Sequence, residues 1–68
     1  MNREALDKSI RKFLKQVGIT SQAETEKAVQ AALASGKLAG NESLRATVKL
    51  EIEDLGLVHE LEGVIALE

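Results

Sequence analysis

The only imidazole in this chain is His59, and its neighbours decide what chemistry it could join. Apolar and polar residues alternate around it, which puts His59 on the side of an extended segment that also carries Leu57 and Leu61. A ring there is expected to pack partly buried, bonded to water or backbone, rather than to act. Metal ligands come in sets, and the chain offers one His and no Cys. The carboxylates Glu51, Glu53, Glu60 and Glu62 lack the loop spacing of a calcium hand and read as solvating charge. A nucleophilic triad fares no better. Ser21 reads as a helix cap, Ser35 as a helix end and Ser43 as a loop residue, and no Ser stands in a Gly-flanked elbow. Neither a G-x-G nor a G-K-S/T run is present to cradle phosphate. The expectation is a non-enzymatic protein with no catalytic, cofactor-binding or metal-ligating residue and no cofactor.

A second constellation is basic. Lys8, Arg11, Lys12 and Lys15 fall on one arc of a helical wheel, opposite an apolar arc of Leu6, Ile10, Phe13, Leu14 and Val17. Such an arc can touch nucleic-acid phosphate or dock an acidic protein, and is most simply a solvated helix face. Two helices meeting near Gly18 and followed by a β-ribbon would resemble the outline of a winged helix-turn-helix. The second helix would then place Glu24 and Lys27 where apolar residues are needed, and would present Gln22, Glu26 and Gln30 outward, a poor recognition surface. Phe13 is the only aromatic residue, so base-stacking platforms are missing. Weak nucleic-acid binding through the basic arc is therefore the runner-up reading.

The elements that would position these residues follow from a change of rhythm near residue 40. Before it, apolar residues recur every three or four positions; from Leu44 to Ile52 they alternate strictly with polar ones. A first helix is expected from Arg3 to Val17, stopped at Gly18. Ser21-Gln22-Ala23-Glu24 matches a capping box, which predicts a second helix from Gln22 to Ser35, ended by Gly36. Strands are expected at Leu44–Ile52, Leu57–Leu61 and Val64–Leu67. A loop of Glu53-Asp54-Leu55-Gly56 would set Ile52 opposite Leu57 and Lys49 opposite Glu60. A three-residue turn after Leu61 would pair Leu61 with Ile65 and keep one apolar face. The fold expected is α+β, with two N-terminal helices packed on one face of a three-stranded antiparallel β-meander.

Length and charge narrow the function further. Sixty-eight residues make one domain near the lower size limit for a self-sufficient core. Nine Lys and Arg against eleven Asp and Glu leave a net charge of -2, which gives no bulk attraction to nucleic acid or anionic lipid. No apolar run reaches membrane-spanning length, Met1-Asn2-Arg3-Glu4 does not open a signal peptide, and Cys is absent. A cytoplasmic protein without membrane association is expected. Val58, Val64 and Ala66 would point away from the core beside open strand edges, a patch able to seed a homodimer. The partner expected is thus an unidentified protein or a second copy of the chain, through that patch or through Lys8, Arg11, Lys12 and Lys15.

The stretches Ser9-Ile10-Arg11-Lys12-Phe13-Leu14-Lys15, Val17-Gly18-Ile19-Thr20-Ser21-Gln22 and Glu26-Lys27-Ala28-Val29 carry a resemblance, together with Leu55-Gly56-Leu57 and Ile65-Ala66-Leu67-Glu68. Over nearly its whole length the chain resembles a small proteobacterial domain-of-unknown-function family of chains about this long. The resemblance implies a stand-alone bacterial protein with a helical half and a strand-rich half. It implies no activity and carries over no site residue.

Overall fold

The computed structural model describes residues 1–68. In chain order it holds one helix, α1 (Arg3–Ala34), a strand β1 (Ser43–Ile52), a single 3-10 turn (Glu53–Leu55) and a strand β2 (Leu57–Ala66). These fall into two units, Met1–Lys37 and Leu38–Glu68, each described by itself.

The helical unit is one uninterrupted helix of 32 residues, about 48 Å long at 1.5 Å per residue. Asn2 caps its start, the side-chain oxygen accepting from the Ala5 amide at 3.1 Å, with Glu4 in the first turn where a negative charge suits the helix dipole. Its end is the one expected. Ser35 is the last cap and Gly36 turns left-handed at φ +80, its amide donating to the Leu33 carbonyl at 3.2 Å.

The expected break at Gly18 does not occur, so two helices are corrected to one. Gly18 does not take a positive φ, and Ser21 sits inside the helix instead of capping a new one. The Ser21 carbonyl accepts the Thr25 hydroxyl at 2.7 Å, as the Gln16 carbonyl accepts the Thr20 hydroxyl at 2.8 Å. The energetics favour continuity. A helix-interior Gly costs about 1 kcal/mol relative to Ala, whereas a break would strand backbone donors and acceptors on both sides of the gap.

The second unit is a hairpin. β1 and β2 pair antiparallel in ten consecutive positions without a bulge, from Ser43 opposite Ala66 to Ile52 opposite Leu57. The expected four-residue loop is present: Gly56 takes φ +60 and donates to the Glu53 carbonyl at 3.1 Å. Ile52 faces Leu57 and Lys49 faces Glu60, as their parity requires.

The three-stranded meander is corrected to two strands. No turn forms at Glu62-Gly63; β2 runs straight through it, and Leu61 pairs with Val48 rather than with Ile65. A turn at that point would leave Ser43, Leu44, Arg45 and Ala46 without their present ladder partners Ala66, Ile65, Val64 and Gly63. With ten residues of β1 to cover, extension keeps more backbone hydrogen bonds than reversal does. The amide of Leu67 even continues past the strand, to the Glu42 carbonyl at 2.9 Å. Each strand has one neighbour, so each leaves its outer edge unpaired.

Neither unit has a core of its own, since no side chain is buried. A lone helix or a lone hairpin cannot bury side chains against itself, and either is marginal in water without a covering layer.

Candidate interaction surfaces

Both units sort their apolar side chains by face. On α1, Leu6, Ile10, Phe13, Leu14 and Val17 lie within about one third of the circumference at 100° per residue. Beyond Gly18 the apolar side is smaller and turned by about a quarter of the circumference, through Ala28, Val29, Ala32 and Leu33. On the hairpin the ladder fixes one apolar face of five rungs: Leu44–Ile65, Ala46–Gly63, Val48–Leu61, Leu50–His59 and Ile52–Leu57. Ala46 and Gly63 form a low rung between two tall ones. Phe13 remains 52% exposed and Leu61 59%, far above what core residues retain.

Gly63 has no conformational reason to be glycine. It does not take a positive φ, and a Cβ built on it meets nothing within 4 Å. What it provides is a notch in an apolar face.

The opposite hairpin face is polar, with Arg45, Thr47, Lys49 and Glu51 on β1 against Glu60 and Glu62 on β2. Arg45 donates from Nε and a terminal nitrogen to the two Glu62 oxygens at 2.8 and 3.1 Å, and this carboxylate holds the guanidinium protonated more firmly than usual. Lys49 lies 3.5 Å from Glu51 on its own strand. Val58, Val64 and Ala66 share this polar face, opposite Glu51, Arg45 and Ser43, with Val64 70% exposed.

Lys8, Arg11, Lys12 and Lys15 share one arc of α1 opposite Leu6, Ile10 and Phe13, and no carboxylate pairs with any of them. The one ion pair of the helix joins Arg3 to Asp7 at 3.9 Å. Counted by unit, residues 1–37 carry seven cations and four carboxylates, and residues 38–68 two cations and seven carboxylates. The formal charges are +3 and -5.

His59 lies on the apolar face opposite Leu50 with no carboxylate paired to it, and no group of three metal-binding side chains is assembled anywhere. Two surface depressions, one along Asn2, Asp7, Lys8 and Arg11 and one across Arg45, Lys49, Glu60 and Glu62, lie on charged surface and converge on no reactive group. No helix is long and apolar enough to cross a membrane.

Sequence reasoning overlooked Glu42. Its carboxylate accepts the amides of Ala39 at 2.8 Å and Gly40 at 2.9 Å, clamping the segment that leads into β1, and these two hydrogen bonds hold its pKa below the ordinary carboxylate range. No periodic signal marks it, because its role depends on the path of the loop through Gly40, which turns at φ +108.

The model of a family of unknown function, DUF6494, matches residues 1–68. The chain belongs to that family. No curated protein and no solved structure matches it. DUF6494 membership agrees with the resemblance seen in the sequence and brings no activity with it.

Proposed function

We propose that this DUF6494 chain is a non-enzymatic interaction module, acting in the cytoplasm, whose apolar helix stripe and apolar sheet face are covered by another protein chain. One observation carries this reading: most large apolar side chains of each unit share one face, Val58 and Val64 lying on the other face of the hairpin. A continuous apolar face on a helix or a hairpin is a surface that packing has to cover. The Cys-free composition is compatible with a reducing compartment.

A photo-crosslinking residue placed at Leu61, on the apolar face, and separately at Thr47, on the polar face, tests it in cells. The expected result is protein adducts from position 61 and few from position 47. Equal yields from both positions, or none from either, would remove the basis for the reading.

The unpaired cations of α1 support a second reading, a weak contact with the phosphate backbone of nucleic acid. The winged-helix outline that first suggested it is gone with the second helix. What remains is an electrostatic contact of at most four cations, strongly weakened by salt.

A further inference from the structure

We infer that the outer rim of β1 pairs with the same rim of a second copy, antiparallel and centred on Val48, so that two hairpins join into one continuous sheet. The surface is the strand rim and not the apolar faces, so the inference stands whichever element covers those faces. A helix bonds its backbone groups internally and offers none to a strand rim.

The ladder shows which groups that rim presents. One step beyond Ser43 and Ala66, the Leu67 amide bonds the Glu42 carbonyl opposite it, which makes Glu42 and Leu67 a bonded pair. Bonded pairs recur at every second position of an antiparallel ladder, so Leu44, Ala46, Val48, Leu50 and Ile52 bond across to β2. The amides and carbonyls of Ser43, Arg45, Thr47, Lys49 and Glu51 therefore point outward. That rim has no bulge and no Pro to block a further strand.

Charge selects the occupant and its register. With Val48 on the two-fold axis, Arg45 of each copy stands opposite Glu51 of the other, and Thr47 opposite Lys49. On the other face Leu44 meets Ile52, Ala46 meets Leu50 and Val48 meets itself, so the apolar side stays continuous. Centring on Thr47 instead opposes Arg45 to Lys49, and centring on Lys49 opposes that cation to itself. The β2 rim suits self-pairing less, because centres at Glu60, Leu61 and Glu62 each oppose Glu to Glu. Antiparallel pairing of β1 with β2 of the next copy opposes at most one unlike pair per contact and does not close, whereas the two-fold contact opposes Arg45 to Glu51 on both sides of the axis.

A single sulfur tests the register, since the chain has no Cys of its own. Val48 is 51% exposed and bonds to β2, so across the axis it forms a non-bonded pair with Cα atoms about 4.5 Å apart, within disulfide reach. Val48→Cys is expected to give a covalent dimer under mild oxidation much faster than Leu61→Cys, which lies on the same apolar face but on β2. Cross-linking no faster at 48 than at 61 overturns the inference, because a face-to-face contact or a β1-to-β2 stack gives no preference for position 48.

Sedimentation of the purified full chain should show a species of twice the 7.3 kDa chain mass, with a melting temperature that rises with concentration. A 7.3 kDa species at every concentration overturns the inference. Thr47→Pro removes an amide that faces the rim, leaving the chain's own ladder intact. Dimerisation should weaken roughly tenfold or more while far-UV circular dichroism at low concentration is retained. Undiminished dimerisation of that variant overturns the rim as the contact.

Arg45→Glu and Glu51→Arg, each alone, oppose like charges twice across the axis and should weaken self-association at low salt. Mixing the two variants sets every such charge against its opposite and should restore a mixed dimer. Equal self-association of both variants and the native chain, with no preference on mixing, overturns the pairing of Arg45 with Glu51.

Discussion

Arg45 and Glu62 are joined by a two-pronged ion pair although neither is the other's ladder partner: Arg45 stands opposite Val64 and Glu62 opposite Thr47. The diagonal tie crosses the point where β2 was expected to turn back. It anchors Glu62, the residue before Gly63, to Arg45, which faces Val64 after it, and so opposes reversal there. Both side chains are well exposed, at 71% and 61%, so solvent screens the pair and it contributes little to stability. Arg45→Ala is expected to leave the melting temperature almost unchanged while hydrogen exchange at Val64–Ala66 quickens. Unchanged exchange there would show that the tie does not hold the strand end.

The Glu42 clamp gives a pH dependence with a definite sign. The folded pKa is depressed by the Ala39 and Gly40 amides, so the stabilisation is present above the ordinary carboxylate range and is lost as pH falls through the depressed value. Amide shifts of Ala39 and Gly40 should titrate together at acid pH. Glu42→Gln should abolish that shared titration, and its persistence would assign it to another group.

Gly18 lies inside α1 without a left-handed φ, and a Cβ there meets nothing within 4 Å. Gly18→Ala should therefore add helix, by up to about 1 kcal/mol. A loss of helical circular dichroism would instead favour a break at this position.

Leu50 and Lys49 are neighbours on opposite faces of β1. If the apolar face is covered, Leu50→Asp should cost about 2 kcal/mol or more of assembly-linked stability, and Lys49→Asp less than about 0.5 kcal/mol. Similar concentration-dependent melting curves for the two variants would contradict the assignment of faces.

The arc of Lys8, Arg11, Lys12 and Lys15 limits a nucleic-acid contact made through it to a log-log salt slope of about -3.6 on duplex DNA. Lys12→Ala should reduce that slope by about one unit. A steeper slope in the native chain, or one insensitive to Lys12, would place the contact elsewhere.

How far the sequence reveals the fold depends on what its five glycines do. Gly36 and Gly56 stand where an apolar rhythm ends, and both are left-handed stops, as expected. Gly18 and Gly63 stand where the same rhythm resumes on the far side, and both lie within regular elements. The residue type alone cannot separate the two uses, because glycine tolerates a left-handed turn and a helix or strand interior alike. Alternation from Leu44 to Ile52 was a firmer guide, since it continues through every position and fixes face and register together. The arc of Lys8, Arg11, Lys12 and Lys15 survives the correction because Arg3–Val17 is helical under either reading. Glu42 was illegible because its role depends on the path of the loop, not on periodicity.

Two ten-residue strands with free outer rims, free of bulges and prolines, make a ribbon that can be lengthened from either margin. These margins are the route by which chains would pair rim to rim into open-ended stacks. A cell that makes much of this protein gains a reason to keep the rims shielded, and a Pro or an extra Lys at a rim position would give a version that tolerates overproduction.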